Sequence, residues 1–446
     1  MKKKIGNILF CILFCALCLV PFLGMLLFGP SQAGSNEVLS KKPSLLEKSG
    51  GVNRDYLSEL SAWFGDHFAL RQGMITANAA MTAAVFQESA ADNVILGQDG
   101  WLYYGDTLAD FEGAATMTER QLWCAAHSLA LMQEYAASRG CAFLFTVAPN
   151  KNTLYPDAMP DRYEASAAAS NLDRLTAVLA EEGVAYCDLL SVLAREETPV
   201  YYKNDSHWTG YGSALAHDAL LAALGRETHL AEEDFRMTPH LGDLYEMLYP
   251  AGRKTEDGLT LRRDRTFSYV GTVRGPDDLT IQTTAEDRTS SLLMFRDSFG
   301  NTLHADLAED FGAALFSRSM PYDLTLLDQT QADTLMIEIV ERNLVNLAEK
   351  PPVMPGLVRE LEIPVETVPA QVRVESAESP IAGCVHYSGT LEADQIDPNS
   401  PVWLVLDGTV YEAVPTASGF SLHGPAAEQI SVLVRSGGRL VLLEEP

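Results

Sequence analysis

Two short segments supply the residue types that acyl transfer requires. Residues 204–210 read N-D-S-H-W-T-G and place a carboxylate, Asp205, two positions before an imidazole, His207. Residues 295–301 read F-R-D-S-F-G-N and place a serine, Ser298, after a short apolar run. In acyl transfer a serine hydroxyl attacks, an imidazole takes its proton, and a carboxylate holds the imidazole in the right tautomer. Because such triads occur in several chain orders, Asp and His before Ser are compatible with this chemistry.

Short apolar runs alternate with helical patterns around these segments. The runs that predict buried strands cover residues 141–147, 184–189, 291–295, 313–317 and 334–340, and the helical patterns cover residues 117–139, 165–182 and 210–224. This alternation predicts an α/β fold, a parallel sheet with helices on both faces. Because ligands of such sheets bind at the carboxyl ends of the strands, we expect Ser298 and the loop of Asp205 and His207 to lie at that edge.

A chain of 446 residues is long enough for two or three domains. We predict a catalytic domain over residues 55–350, with an irregular, turn-rich insertion at about 234–288. Short alternating runs and glycine-containing turns then predict a small β-rich domain over residues 363–446. Two interpretations of this domain stay open, a carbohydrate-binding or docking module and a structural cap on the α/β core.

The N-terminus has the pattern of a membrane signal. Three lysines precede an uncharged, apolar stretch over residues 5–28, and about 20 apolar residues are enough to span a bilayer. We predict a signal anchor over residues 1–29 and a tether over residues 30–54, with the rest of the chain extracytoplasmic by the positive-inside rule. A small-residue sequence ending at Ala33 leaves open that the signal is cleaved and the protein secreted.

Charge and cysteine spacing exclude several classes of function. The formal net charge is -28, and no basic stripe offers itself to nucleic acid. An acidic surface keeps an exported protein soluble, and a polyanionic substrate would need a local basic pocket. Outside the apolar N-terminal stretch, the four cysteines at 124, 141, 187 and 384 form no C-x-x-C pair and no zinc-like spacing, so we expect neither a metal nor a cofactor. A metal site of Asp205 and His207 with His217 or His240 is the disfavoured alternative, because its spacing matches no strong metal motif.

Several ordered motifs resemble the DHHW/alginate O-acetyltransferase-like family, whose catalytic domains are SGNH-hydrolase-like. The D-x-H-W signature matches residues 205–208, with Ser206 where the family name has a second histidine. The other matching segments are F-G-D-H-F-A-L-R at 64–71, G-W-L-Y-Y at 100–104, P-N-K-N-T-L-Y-P at 149–156, G-D-L at 242–244 and E-I-V-E-R at 338–342. The resemblance covers roughly residues 55–350.

The resemblance implies an extracytoplasmic enzyme that moves acetyl groups onto a cell-surface or exported polysaccharide. It implies Ser298 as nucleophile, His207 as base and Asp205 as the residue that orients His207. It also implies a membrane-bound O-acyltransferase that supplies the acetyl group. Three hypotheses follow: an O-acetyltransferase, an O-acetylesterase with the same triad, and a non-catalytic glycan-binding or scaffold protein of an export complex.

Each candidate residue also has a structural interpretation. Ser298 is well placed to be a helix N-cap, and Trp208 fits packing beneath the loop better than a sugar platform. A helix start would offer N–H groups to an oxyanion, first that of Ser298 itself. The further candidates for substrate contact are Asn150, Lys151, Arg296, Asn301, Arg342 and Trp208. For the two arginines among them, binding of an acidic sugar competes with a structural salt bridge.

Overall fold

A computed structural model of the chain describes residues 2–31, 38–47, 50–228, 234–262, 264–363, 367–369, 372–391 and 396–444. Parts of the predicted tether, at 32–37 and 48–49, lie outside the described residues.

The helices and strands follow one another in chain order. The helices are α1 Lys2–Phe28, α2 Tyr56–His67, α3 Arg71–Phe86, α4 Leu108–Phe111, α5 Glu119–Ala137, α6 Lys151–Leu154, α7 Asn171–Glu181, α8 Leu189–Leu193, α9 Gly210–Ala223, α10 Asp243–Leu248, α11 Gly300–Leu307, α12 Leu326–Thr330 and α13 Asn346–Glu349. The strands are β1 Val94–Leu96, β2 Leu102–Tyr104, β3 Ala142–Ala148, β4 Tyr186–Cys187, β5 Phe235–His240, β6 Glu256–Leu261, β7 Ser268–Tyr269, β8 Thr280–Thr284, β9 Ser291–Phe295, β10 Ala313–Ser317, β11 Thr334–Val340, β12 Leu357–Arg359, β13 Thr367–Pro369, β14 Val374–Glu378, β15 Val385–Thr390, β16 Val402–Leu406, β17 Thr409–Thr416, β18 Gly419–Gly424, β19 Ile430–Ser436 and β20 Arg439–Glu444.

A central sheet has the strand order β4-β3-β11-β9-β10-β8-β7. The five strands from β4 to β10 are parallel, and β8 and β7 add an antiparallel edge. Helices cover both faces: α5 and α7 contribute to one apolar core, and α8, α9 and α11 contribute to the other. The predicted α/β class is therefore confirmed, with a mixed sheet in place of a purely parallel one.

Fully buried strands match their predictions best. The predictions for β9, β10 and β11 agree with the structure residue for residue. The predicted strand at 184–189 is confirmed only at Tyr186–Cys187 and is wrong at both ends, and α8 begins at Leu189. Asp188 caps this helix by accepting a hydrogen bond from the Ser191 N–H at 3.0 Å, and such a cap favours helix over strand.

The region 234–288 has two structural roles. Its strands β7 and β8 extend the central sheet, whereas β5 and β6 form a separate antiparallel hairpin. The helix α10 follows β5 directly. This region therefore adds two strands to the sheet. It also extends to the carboxyl edge of the sheet, where Ser298 follows β9.

The C-terminal part forms a second sheet that is largely antiparallel, in the order β13-β20-β19-β16-β17-β18-β15-β14, with β12 paired to β17. It has its own apolar core, which includes the fully buried Leu404 and Phe420. It also contacts the first domain, since the Arg359 guanidinium binds the carboxylates of Glu134 and Glu412. The predicted small C-terminal β domain is confirmed as a fold.

The N-terminal helix α1 contains one segment, Ile5–Leu27, that is long and apolar enough to cross a membrane, with a mean hydropathy of 2.8. A signal sequence has the same length and composition. The helix therefore fits both interpretations made from the sequence.

Candidate active site

The nucleophile candidate lies in the turn between a buried strand and a helix. All of β9 after Ser291 is buried, and α11 begins at Gly300. Ser298 lies in this turn, half-buried, at the carboxyl edge of the sheet. Its backbone N–H has no acceptor among the described residues, so it is free to bind an oxyanion.

His207 and Asp205 lie beside this turn. His207 Nε2 is 2.9 Å from Ser298 Oγ, and His207 Nδ1 is 2.8 Å from Asp205 Oδ1. The same carboxylate oxygen accepts the backbone N–H of His207 at 2.9 Å. These contacts form a chain from carboxylate to imidazole to hydroxyl, which is the geometry that activates a serine.

The electrostatics of this chain favour an ionised aspartate and a basic imidazole. Burial raises the pKa of Asp205, but hydrogen bonds from His207 and His240 outweigh it, and the pKa lies well below its usual range. Burial lowers the pKa of His207, but the hydrogen bond to Asp205 and the charge of Asp243 outweigh it, and the pKa is raised. A raised pKa strengthens the imidazole as the base that removes the serine proton.

Two residues beside the triad, His240 and Asp243, were not assigned this position from the sequence. His240 Nε2 lies 2.8 Å from Asp205 Oδ2, and the Asp243 N–H donates to the same oxygen at 3.0 Å. The Asp243 carboxylate accepts the Ser206 N–H at 2.7 Å and the Ser206 hydroxyl at 2.6 Å. A side chain at Gly242 would collide with the Asn204 carbonyl, so the G-D-L motif brings this second carboxylate against the loop.

Lys151 has a structural role, and its prediction as a substrate contact is wrong. It is 4% exposed, and its Nζ donates to the carbonyls of Leu102, Lys203 and Asp205 at 2.5, 2.8 and 2.8 Å. Burial lowers the pKa of Lys151 to about 7. Three acceptors use all three N–H groups of an ammonium, so Lys151 holds the triad loop and has no donor left for a substrate.

Three further predicted contacts are also buried. Asn150 is 1% exposed, and its side chain binds Asp110 and the Arg342 N–H, so it does not face an oxyanion. Arg296 is 3% exposed and donates to Asn301 Oδ1 and the Pro276 carbonyl. Trp208 is 1% exposed and meets Phe299 edge to face, which agrees with packing and excludes a sugar platform.

Hydrogen bonds to the carboxyl groups of Asp297 and Glu338 hold the turn that contains Ser298. Asp297 accepts the N–H groups of Phe299 at 2.9 Å and Val340 at 2.7 Å. The Asp297 N–H in turn donates to Glu338 at 3.1 Å. Burial raises the pKa of Glu338 well above its usual range, which favours the neutral form of this carboxyl group. The alternative role of Ser298 as an N-cap finds no support, because no side chain caps α11.

The catalytic cleft opens above Ser298 as a cavity of about 500 Å³. Asn301 and Arg342, two of the candidates for substrate contact, line it together with Arg318 and Asn343. Arg342 stacks over Tyr104 and Phe299, and no carboxylate pairs with it among the described residues. Volumes of roughly 300–1,000 Å³ are typical of ligand sites, so the cleft can hold a substrate against the hydroxyl.

An α/β sheet with a Ser–His–Asp chain at its carboxyl edge defines the SGNH-hydrolase-like class. Residues 94–277 match the family model described as the SGNH hydrolase-like domain of the acetyltransferase AlgX. The chain is therefore similar to this acetyltransferase family over the matched residues, and its motifs resemble the same family. Asp205 and His207 lie inside the matched range, whereas Ser298 follows it.

The chain is also similar to individual proteins. It is 27% identical over 209 residues to a probable alginate O-acetylase, AlgJ, of Pseudomonas syringae, and this covers 44% of the chain and 51% of that protein. The chain thus spans about half the length of the curated relatives it matches. Among solved structures, PatB1 of Bacillus cereus is 17% identical with a TM-score of 0.46, covering 56% of this chain and 97% of that one. The O-acetyltransferase domain of Pseudomonas putida AlgJ is 17% identical with a TM-score of 0.40, covering 57% and 92%.

Proposed function

We propose that this protein is an extracytoplasmic O-acetyltransferase that acetylates a polysaccharide through an acetyl-serine intermediate at Ser298. The observation that carries the proposal is the hydrogen-bonded chain from Asp205 through His207 to Ser298, with 2.8 and 2.9 Å between its members. The family match and the alginate O-acetylases among the relatives support acetyl transfer as the reaction.

In the first half-reaction Ser298 Oγ attacks the carbonyl carbon of the donor's acetyl group. The serine proton passes to His207 Nε2, and Asp205 stabilises the imidazolium that forms. The Ser298 N–H faces the oxyanion of the tetrahedral intermediate. His207 then returns the proton to the departing oxygen of the donor, which leaves an acetyl ester on Ser298.

In the second half-reaction a sugar hydroxyl takes the place of the donor. His207 removes the hydroxyl proton, the sugar oxygen attacks the acetyl carbon, and Ser298 leaves with the proton restored by His207. The product is an O-acetylated sugar and a free serine. Water in place of the sugar would give the esterase reaction, so exclusion of water from the cleft separates the two activities.

The proposed location is the outer face of a membrane, with α1 as signal anchor. An anchored enzyme stays beside the membrane across which acetyl groups have to pass. We include a membrane-bound O-acyltransferase as the proposed donor partner, because the reaction needs an acetyl group delivered outside the cell and no cofactor is expected in this chain.

The test is turnover of a chromogenic acetyl ester by the full chain in detergent, followed by intact mass spectrometry. Wild type should turn over the ester and carry one acetyl group, and Ser298→Ala should do neither. Added glycan should become acetylated if the protein is a transferase, whereas faster release of acetate alone would identify an esterase. Ester turnover that persists in Ser298→Ala would refute the proposal, and a complete lack of turnover in wild type would favour a glycan-binding protein.

A further inference from the structure

A second cavity of about 580 Å³ lies along α11, next to the catalytic cleft. We call it the outer cavity. One wall is α11, which contributes Thr302, and the opposite wall is the 265–276 segment, which contributes Arg265, Phe267 and Tyr269. None of these four residues belongs to the catalytic chain described above.

The two cavities are neighbours, because Asn301 lines both of them. Its position is fixed from two sides: Asn301 Nδ2 donates to Asp277 Oδ1 at 2.8 Å, and Asn301 Oδ1 accepts from Arg296 at 2.6 Å. Arg296 also donates to the Pro276 carbonyl at 2.7 Å. Buried Arg296 therefore fixes Asn301 in the position where the linings of the two cavities meet. A ligand longer than the cleft would pass over Asn301.

The outer cavity is lined by both aromatic and polar side chains, the two kinds of group that bind sugars. Arg265 lies over the rings of Phe267 and Tyr269 at 5.6 and 5.5 Å. Asp306 and Glu309 line the same cavity. Aromatic rings pack against the C–H faces of a sugar, while guanidinium groups donate to its hydroxyls and carboxylates accept from them.

The charges along this path do not favour an acidic glycan. Two arginines and two carboxylates line the outer cavity, so their formal charges balance. In the catalytic cleft the two arginines face four carboxylates, those of Asp106, Asp205, Asp243 and Asp277. A polyanion would need an excess of positive charge in at least one of the two cavities, and the described lining of neither provides it.

We propose that the outer cavity is a subsite for a neutral polysaccharide acceptor, which extends from Ser298 over Asn301 and along α11. This inference rests on the proposed function for the reacting hydroxyl in the cleft. It adds a site, a direction for the chain and a substrate class, a glycan with uncharged sugars.

Binding of defined oligosaccharides tests the subsite without acetyl transfer. The full chain in detergent, carrying Ser298→Ala so that no chemistry occurs, is titrated by calorimetry with disaccharides and hexasaccharides. The probes are neutral oligomers of glucose, mannose and galactose, and uronic acid oligomers of the same lengths. We expect a neutral hexasaccharide to bind about tenfold tighter than its disaccharide, equivalent to about 1.4 kcal/mol, and more tightly than any uronic acid hexasaccharide.

Filling the outer cavity should remove this gain from length. Thr302 is exposed on α11, so Thr302→Trp places an indole in the cavity, and Thr302→Ser leaves it open. Ala180→Trp adds the same indole to the exposed face of α7, away from both cavities, as the matched control. We expect disaccharide and hexasaccharide affinities to become equal in Thr302→Trp alone.

Three results would overturn the subsite: no neutral oligomer gains affinity with length, the gain survives in Thr302→Trp, or uronic acid oligomers bind more tightly. Failure of the proposed function gives a different result, the absence of acetylated Ser298 in wild type. If Thr302→Trp does not fold, Thr302→Arg serves instead, and persistence of the length gain there would equally refute the subsite.

Discussion

The protein contains serine–histidine contacts in both of its domains, and the two kinds differ. In the α/β domain His207 Nε2 lies 2.9 Å from Ser298 Oγ. In the β domain His386 Nε2 lies 2.9 Å from Ser421 Oγ. By distance alone the two pairs cannot be told apart. The two pairs differ in the hydrogen-bond partner of the histidine's other ring nitrogen.

Asp205 binds the far nitrogen of His207, whereas His386 has no carboxylate partner among the described residues. The pKa values move in opposite directions as a result. Burial lowers the pKa of both imidazoles, and only for His207 does the hydrogen bond to Asp205 reverse the shift. A lowered pKa makes a weaker base, so the pair in the β domain is less suited to activating a serine.

The positions of the serines also differ. Ser298 lies half-buried in a turn that opens on the cleft. Ser421 lies inside β18 and is 5% exposed. A substrate can reach the first hydroxyl and not the second. A serine–histidine contact thus indicates catalysis only with a carboxylate and an open cavity.

Removing the histidine from each pair should give the largest contrast. We expect His207→Ala to lower kcat for an acetyl ester by about 10⁵- to 10⁶-fold, as for other serine triads. His386→Ala should leave kcat within about twofold, because His386 lies in the β domain and takes no part in the proposed reaction. Steady-state ester assays on both variants measure kcat. Equal losses of kcat in the two variants would contradict the distinction between the two serine–histidine pairs.

The carboxylate is the next difference to remove. Asp205→Asn should lower kcat by about 10⁴-fold, because an amide leaves the imidazole in the wrong tautomer. The matched control is Asp310→Asn, which alters the 2.7 Å contact between Asp310 and His217 outside the cleft. Stopped assays with long incubation can measure such slow rates. A similar loss in Asp310→Asn would mean that the substitution acts through stability.

Lys151 should matter for both folding and activity. Lys151→Met removes one donor from each of three backbone carbonyls, and we expect a loss of about 3–5 kcal/mol in the free energy of unfolding. Because one of those carbonyls belongs to Asp205, kcat should also fall. Urea titration and ester assays measure the two effects. The exposed Lys203, changed to Met, should alter neither by much.

Asp243 should produce the smallest change, a shift in pH dependence. His207 must be neutral to accept the serine proton, so kcat/KM falls as the pH drops through the pKa of His207. Because that pKa is raised, the acidic limb of the pH profile lies above 6.5, the ordinary pKa of histidine. The charge of Asp243 contributes to that raise, so Asp243→Asn should move the limb to lower pH. Glu246→Gln, on the same helix, is the control. A limb that stays in place, or moves to higher pH, would contradict the assigned role of Asp243.

The sequence predicted most of what local pattern determines. Strands β9, β10 and β11 are nearly continuous apolar runs, and burial on both faces leaves them no other environment. The triad members were predicted because the D-x-H step and the serine after β9 are each local signals. The antiparallel edge formed by β7 and β8 was missed, because β7 has only two residues and the five residues of β8 include a single hydrophobic one, Ile281.

The residues that support Asp205 could not be predicted from the sequence, because they are distant from it along the chain. His240 and Asp243 reach Asp205 across 35 and 38 positions, and no spacing rule connects them. Lys151 and Arg296 were candidates for substrate contact, but the fold buries both, and both donate hydrogen bonds within the protein. The sequence therefore predicts which residue types would carry the chemistry, and the structure was needed to separate the candidates that line the cleft from those that are buried.

The most direct test of the account is the location of the acetyl group. The full chain is incubated briefly with an acetyl donor, quenched in acid and digested, and the peptides are sequenced by mass spectrometry, with Ser421→Ala alongside wild type. The account predicts one acetyl group on Ser298 in both proteins and none in Ser298→Ala. An acetyl group on another residue, or an unchanged adduct in Ser298→Ala, would contradict it.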